Sequence, residues 1–220
     1  RSGSCALRGC AGDATQVLPV WRIPPELRPH YWKTERIYGP EDILGIGSQR
    51  SWSASMTLEL QNHLADLTLE LIRVPSVTGN ETEIAEYVAH WLQERLPEGW
   101  VEIVGNSVLV VPPENGKPTV GIFGHLDTVP GREDQPPRRD AERVYGTGAS
   151  DMKGALAVMM ELAVRTPEAA WDVRPVFVFY DAEEGPFLKS GLIPLEEARG
   201  ELLRSMDFAI CMEPTDGTIQ

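Results

Sequence analysis

The sequence predicts an α/β fold in which a largely parallel, mixed sheet is flanked by helices. Short apolar segments of strand length occupy residues 120–124, 175–180 and 208–212. Segments with apolar residues at helical spacing, 155–164 and 192–203, separate these strands. Apolar strands that alternate with helices are typical of a parallel sheet covered on both faces, and such sheets bind ligands beyond the carboxyl ends of their strands.

Two helices and a hairpin are predicted ahead of these strands. Residues 58–72 carry leucines at helical spacing, and Pro75 then prevents the helix from continuing. Asn80, followed by Glu83, fits the N-cap of a second helix, because the two side chains can satisfy each other's backbone N–H groups. Residues 101–111 contain two apolar runs around a Gly-Asn pair, which is typical of a hairpin turn.

Composition and charge narrow the class of protein. The chain has 220 residues and a formal net charge of -13 at pH 7. Because nucleic-acid backbones are bound through a surplus of Lys and Arg, this charge argues against a nucleic-acid partner. No apolar stretch reaches the roughly 18 to 20 residues needed to cross a bilayer, and the first residues lack the pattern of a signal peptide. We therefore expect a soluble, cytoplasmic protein without a membrane partner.

Composition changes near Met56, which divides the chain into residues 1–55 and 56–220. The first segment holds 7 Lys and Arg against 5 Asp and Glu, whereas the second holds 13 against 28. The first segment also lacks a sustained strand or helix period. Two interpretations stay open for it: an irregular N-terminal extension, or a spurious one from a reading frame that begins upstream of a true start at Met56.

The cysteines receive no catalytic role. Cys5 and Cys10 lack the paired spacing of a zinc ribbon, and an odd count of 3 defines no disulfide framework. Cys211 lies in the apolar run 208–212, where we expect a buried and unreactive thiol.

Acidic or imidazole side chains follow each of the three predicted strands. They are His125 and Asp127 after the first strand, Asp181, Glu183 and Glu184 after the second, and Glu213 after the third. Asp151 lies in a glycine-rich loop just before a predicted helix. Each residue alone has an ordinary interpretation, such as a surface histidine, a helix N-cap or a solvated pair of acids. Together they share one edge of the sheet, which predicts a metal site whose carboxylate and imidazole ligands suit Zn, Co or Mn.

Four motifs, in chain order, carry a resemblance to a known family. They are Gly124-His-Leu-Asp-Thr-Val-Pro130, Gly146-Thr-Gly-Ala-Ser-Asp-Met-Lys-Gly154, Asp181-Ala-Glu-Glu-Gly185 and Met212-Glu-Pro-Thr215. In order and spacing they resemble the signature of the co-catalytic zinc peptidase family, which includes aminoacylases, acetylornithine deacetylase, carboxypeptidase G and succinyl-diaminopimelate desuccinylase. The resemblance covers roughly residues 60–220, and its details look most like the desuccinylase subfamily.

The resemblance implies two zinc ions, or Co²⁺ or Mn²⁺ in their place. Asp151 would bridge the two ions with its two oxygens. His125 and Glu213 would complete the ligands of one ion, and Glu184 would bind the other. A dizinc-peptidase catalytic domain is the fold that the resemblance implies.

The resemblance also implies two catalytic side chains and a class of reaction. Asp127 is expected to accept the imidazole N–H of His125 and so to fix its tautomer. Glu183 is expected to act as general base, taking a proton from the attacking water and passing it to the leaving amine. The substrate would be a small N-acyl amino acid, and the closest resemblance implies cleavage of N-succinyl-LL-2,6-diaminopimelate in lysine biosynthesis.

Two features of the family would lie beyond Gln220. They are a further His for the second ion, and a lid and dimerisation domain through which a full-length enzyme would form a homodimer. His30, His63 and His90 come too early in the chain to supply that ligand. We therefore expect a fragment, truncated before the lid and inactive alone. The alternatives that stay open are an acetylornithine deacetylase or carboxypeptidase-type relative, and a non-catalytic metal-binding remnant.

Overall fold

A computed structural model describes residues 54–131 and 136–215, with side chains from Leu58 onward. The predictions made for Cys5, Cys10, His30 and the N-terminal extension lie outside the described residues. No helix within the two described ranges combines the length and apolar character needed to span a membrane.

The helices form where the apolar spacing predicts them. They are α1 (Ala54–Arg73), α2 (Thr82–Gln93), α3 (Gly154–Arg165) and α4 (Leu192–Arg204). The first helix ends at Arg73, two residues before Pro75. This is expected because proline has no backbone N–H and disfavours the helical conformation of the residue before it.

A mixed sheet forms the centre of the fold, and this confirms the predicted fold class. Its strands, in spatial order, are β1 (Val101–Val104), β2 (Ser107–Val110), β6 (Arg174–Tyr180), β3 (Thr119–His125) and β7 (Phe208–Cys211). Strands β6, β3 and β7 run parallel, whereas the predicted hairpin β1–β2 joins β6 antiparallel. A separate short hairpin, β4 (Arg138–Arg139) with β5 (Val144–Tyr145), was not predicted.

Strand β6 shows why the sheet is covered on both faces. Phe177 and Phe179 belong to a core that also contains buried apolar residues of α1, α2 and α3. The alternate residues Val176 and Val178 belong to a second core with Leu195 of α4. Because successive side chains of a strand point to opposite faces, an uninterrupted apolar run is what a doubly covered strand requires.

Gly124, the next-to-last residue of strand β3, allows α3 to approach the carboxyl end of that strand closely. A Cβ atom at this position would lie 2.8 Å from Met159 Sδ and 2.9 Å from Met152 Cε. The absence of a side chain therefore lets the helix and its leading turn pack directly behind the strand end.

The predicted N-cap at Asn80 is wrong. Helix α2 begins at Thr82, and Glu81 occupies the capping position without a capping side-chain bond. The buried Glu81 carboxylate instead accepts the N–H of Gly79 at 2.6 Å, and the Glu81 carbonyl accepts the N–H of Ala85 at 2.9 Å. The tight turn before the helix therefore shifts the helix start beyond Asn80.

The expectation of a buried Cys211 is also wrong, because its side chain is exposed. Strand β7 is an edge strand among the described residues, and its residues are exposed along its whole length. An apolar run by itself does not distinguish a central strand from an edge strand.

Candidate metal centre

The carboxyl ends of the parallel strands bring the predicted ligands together. His125 is the last residue of β3 and is buried, with 1% of its side chain exposed. Its Nε2 atom lies 3.0 Å from Asp151 Oδ1 and 3.9 Å from Glu213 Oε1. One imidazole nitrogen thus faces two carboxylates that come from different parts of the chain.

Two sets of three side chains have the geometry to hold a cation. One set is His125, Asp151 and Glu213, and the other is His125, Glu183 and Glu184. Within each set, one ligand atom from every residue lies within 4.8 Å of the others. The structure therefore brings together all of the side chains for which metal ligation was predicted. Glu183, predicted as the base, lies beside them.

Asp151 reaches this position through an irregular turn. The π-helical turn Ala149–Lys153 precedes α3, and within it Asp151 has the non-helical angles φ -125° and ψ 93°. Lys153, which is buried, donates from Nζ to the carbonyls of Leu71 and Val74, each at 2.9 Å. The ammonium group thus ties the turn to the last turn of α1 and to the residue after Arg73.

Asp127 has no exposed surface and is surrounded by donors. Its Oδ1 accepts the backbone N–H of Glu183 at 2.9 Å, and its Oδ2 accepts the N–H of Glu184 at 3.0 Å and the hydroxyl of Thr78 at 2.9 Å. Burial by itself raises the pKa of Asp127, but hydrogen bonds from His125, the two amides and Thr78 overcome that effect and place the pKa below its usual value. The carboxylate therefore stays ionised inside the protein.

These contacts refine the predicted contact between Asp127 and His125. The imidazole Nδ1 lies 2.9 Å from the backbone carbonyl oxygen of Asp127 and 3.5 Å from its Oδ1. The carbonyl is thus the nearer acceptor for an Nδ1–H group, with the carboxylate behind it. Such a contact leaves Nε2 as the nitrogen available to a metal.

The electrostatics of the cluster favour a cation. Burial and then the charge of Asp151 raise the pKa of Glu184, and burial together with neighbouring carboxylates raises the pKa of Glu213. Burial lowers the pKa of His125, but its hydrogen bonds with Asp127 and Asp151 raise it to about 9. Carboxylates that repel one another around one imidazole, without a thiolate in either set, fit a divalent cation of the zinc, cobalt or manganese type.

Three other sequence candidates pair with side chains outside the cluster. Asp181 follows β6 directly, but its Oδ1 accepts the hydroxyl of Ser107 at 2.5 Å. His63 pairs with Glu161 at 3.0 Å, and His90 pairs with Glu94 at 3.2 Å. These two histidines are therefore engaged elsewhere, as their early position in the chain predicted.

Two residues near the cluster were missed by the sequence analysis. Tyr180 packs edge-on against His125, with ring centroids 6.4 Å apart and planes at 65°. Thr78 reaches Asp127 from the connection between α1 and α2. Tyr180 immediately precedes a candidate motif and could have been inferred from that position, whereas a threonine 49 residues before its partner offers no sequence signal.

Comparisons with known proteins find a family that matches part of this chain. The family described as peptidase family M20/M25/M40 matches residues 121–220. A protein of Mycobacterium tuberculosis, named provisionally as a succinyl-diaminopimelate desuccinylase, is 38% identical over 165 residues, which are 74% of this chain and 45% of that protein. A LysW-lysine hydrolase of Deinococcus radiodurans is 32% identical over 152 residues, which are 68% of this chain and 39% of that protein.

Solved structures show the same fold. An M20 family metallo-carboxypeptidase from Sulfolobus solfataricus superposes with a TM-score of 0.56 and 21% identity, over 68% of this chain and 37% of that chain. This chain spans less than half the length of the two curated relatives, with 45% and 39% covered. The family match contains every predicted ligand, from His125 to Glu213. Residues 121–220 therefore match the peptidase family M20/M25/M40.

Proposed function

We propose that this chain is the catalytic part of a dizinc amide hydrolase that cleaves N-succinyl-LL-2,6-diaminopimelate into succinate and LL-2,6-diaminopimelate. The observation that carries the proposal is the meeting of His125, Asp151 and Glu213 with Glu183 and Glu184 at one edge of the sheet. The family domain and the desuccinylase relative support it.

The proposed ligands would divide between two ions. His125, Asp151 and Glu213 would hold one ion, and Glu184 together with Asp151 would contribute to the other. When bound, the ions polarise the amide carbonyl and make water more acidic. A further ligand for the second ion would come from outside the described residues.

Glu183 moves the proton in the proposed reaction. It accepts a proton from the attacking water, whose oxygen forms a bond to the carbonyl carbon. The carbon–nitrogen bond then breaks, and Glu183 returns the proton to the leaving amine. Its backbone N–H is held by the buried Asp127, so the side chain starts from a backbone position that is already fixed.

A second candidate substrate comes from the relative in Deinococcus radiodurans. That protein is named a LysW-lysine hydrolase, and its 32% identity over 68% of this chain is only slightly lower than that of the desuccinylase relative. The ligands discussed above act on the amide bond, and they do not choose between acyl groups. N-acetylornithine and dipeptides should therefore be tested as substrates beside N-succinyl-diaminopimelate and a LysW-lysine conjugate.

Zinc titration of the 220-residue chain tests the ligand assignment. We expect one tight equivalent, because three protein ligands with an open position make a catalytic type of zinc site. A second equivalent should bind weakly or not at all, since Glu184 and Asp151 alone remain for it. Two equally tight equivalents, or none, would contradict the assignment.

Hydrolysis tests the chemistry and the substrate. The chain alone should show little turnover, whereas a protein extended to the length of its relatives should cleave N-succinyl-diaminopimelate and, as a homodimer, retain zinc. Kinetic comparison with N-acetylornithine, dipeptides and a LysW-lysine conjugate identifies the preferred acyl group. Zinc binding by the extended protein without hydrolysis of any of these amides would favour a non-catalytic metal-binding role.

A further inference from the structure

The connection between α1 and α2 runs along the segment that follows strand β3. Val77 and Thr128 form a parallel bridge. The N–H of Thr128 donates to the carbonyl of Ser76 at 2.9 Å, and the N–H of Thr78 donates to the carbonyl of Thr128 at 3.1 Å. These backbone bonds place Thr78 directly beside Asp127.

The side chain of Thr78 uses this placement. Its hydroxyl donates to Asp127 Oδ2 at 2.9 Å, the same oxygen that accepts the N–H of Glu184. On its other side, the Thr78 methyl Cγ2 would lie 3.2 Å from a Cβ atom at Gly185. Thr78 therefore touches both the buried carboxylate and the turn that presents the two glutamates.

We propose that Thr78 is a positioning residue of the metal centre, which holds Asp127 and, through it, the turn that carries Glu183 and Glu184. The inference rests on the proposed function, because it assumes that these glutamates serve a bound cation. The Asp127 carboxylate is the link: one oxygen accepts from Glu183, and the other accepts from Glu184 and Thr78.

The geometry favours this role over simple stabilisation of a loop. Thr78 is only half-buried, so its side chain contributes little to the apolar core. Its hydroxyl, however, bonds to a carboxylate without exposed surface, and hydrogen bonds to charged groups are stronger than neutral ones. Loss of that donor would leave each oxygen of Asp127 with one backbone amide, from Glu183 or from Glu184, and would weaken the hold on the carboxylate and on the turn.

Three variants of the 220-residue chain test the proposal, with Co²⁺ as the probe. Thr78→Val removes the hydroxyl at nearly constant volume, whereas Thr78→Ser keeps the hydroxyl and removes only the methyl group. Thr82→Val is the matched control, because it removes an exposed threonine hydroxyl that bonds to Asn106 at 3.2 Å, away from the site. The measurements are Co²⁺ affinity, the visible absorption spectrum of the Co²⁺ complex, and the thermal unfolding midpoint of the metal-free protein.

We expect Thr78→Val to weaken Co²⁺ binding and to alter the visible spectrum, because Thr78 acts through Asp127, the partner of the ligand His125. Loss of a ligand's own partner costs about 10- to 100-fold in affinity, and this sets the upper limit for Thr78→Val. Thr78→Ser and Thr82→Val should match the wild type in affinity and spectrum. The metal-free Thr78→Val protein should stay folded and unfold a few degrees lower than the wild type, because the buried carboxylate of Asp127 loses a donor. Wild-type affinity and spectrum in Thr78→Val, or an equal loss in Thr82→Val, would overturn the proposal.

Two further outcomes separate the proposal from the function on which it rests. If the wild-type chain binds no Co²⁺, the proposed metal function fails, and the role of Thr78 fails with it. If the wild type binds Co²⁺ but Thr78→Val does not fold, the positioning role alone is overturned. The same holds if Thr78→Ser, which keeps the hydroxyl, binds Co²⁺ as weakly as Thr78→Val.

Discussion

Individual residues of the site hold their charge states through opposing effects. Asp127 is buried, yet donors around both of its oxygens keep its pKa low. Lys153 is also buried, and burial lowers its pKa to about 8, although two backbone carbonyls accept hydrogen bonds from its ammonium group. The difference follows from the partners: charged and oriented donors favour a carboxylate more than two neutral carbonyls favour an ammonium group.

Glu183→Gln should separate catalysis from metal binding. In a protein extended to the length of its relatives, we expect metal content to stay near the wild-type level while turnover falls by at least the 10² to 10⁴-fold typical of a lost general base. Metal analysis and an amide-hydrolysis assay measure the two effects. Glu184→Gln is the contrast, because the loss of a proposed ligand should reduce metal content. Near wild-type turnover in Glu183→Gln would eliminate Glu183 as the base.

Lys153 predicts a pH dependence of stability. Because burial lowers its pKa from the ordinary lysine value of 10.5 to about 8 in the folded protein, the unfolded chain binds more protons between these two pH values. The contribution of Lys153 to the free energy of unfolding therefore rises as pH increases from about 8 to 10.5, by on the order of 2 to 3 kcal/mol.

Urea unfolding of the metal-free protein at a series of pH values, compared with Lys153→Met, measures this contribution. His125, with a pKa of about 9, titrates in the same range in both proteins, so its effect cancels in the difference. A difference between the two proteins that stays constant from pH 7.5 to 10 would contradict the prediction.

At the level of elements, sequence spacing predicted the helices and strands, but contacts between distant segments decided the rest. Periodicity located β3, β6 and the helices because burial repeats along each segment. The exposed Cys211 was missed since edge position depends on strand order. The ligands at strand ends were predictable because parallel strands end at one edge, whereas the Thr78–Asp127 bond joins residues 49 positions apart.

The start of α4 depends on one glycine. Gly191 donates its N–H to the carbonyl of Asp181 at 2.8 Å, and its Cα faces the Asp181 carboxylate. A Cβ atom there would collide with Asp181 Oδ1 and lie 2.7 Å from Ser107 Oγ. These two atoms are joined by a hydrogen bond, which the added Cβ would therefore disturb.

Gly191→Ala should therefore lower the free energy of unfolding by about 1 to 3 kcal/mol, the usual cost of overpacking. Gly131→Ala is the matched control, because a Cβ atom there would have its nearest contact at 3.4 Å from Thr147 Oγ1. Chemical denaturation of both variants measures the difference. Equal stability of Gly191→Ala and the wild type would show that the Asp181–Ser107 pair moves freely.

At the scale of the whole molecule, one sheet serves two purposes. Its faces bury the apolar side chains that stabilise the domain, with α1, α2 and α3 on one face and α4 on the other. Its carboxyl edge carries the charged residues, which could not be buried in either core without a partner. Stability and chemistry therefore rest on different surfaces of the same strands, and this separation allows the ligands to be substituted without removing core contacts.

Deletion of residues 1–55 tests where the folded domain begins. The fully buried positions of α1 start at Leu67 and continue to Leu71 and Ile72, well after Met56. A chain that begins at Met56 keeps all of these residues and loses the first two positions of the helix, Ala54 and Ser55. We expect its thermal unfolding midpoint to stay within about 2 °C of the full chain, since a change of 1 kcal/mol shifts the midpoint of a domain of this size by about 2 to 4 °C.

A chain that begins at Thr68 is the control, because it loses the buried Leu67 and should unfold at a clearly lower temperature. A large drop for the chain that begins at Met56 would mean that residues before it stabilise the domain, and the boundary would then move towards the N-terminus.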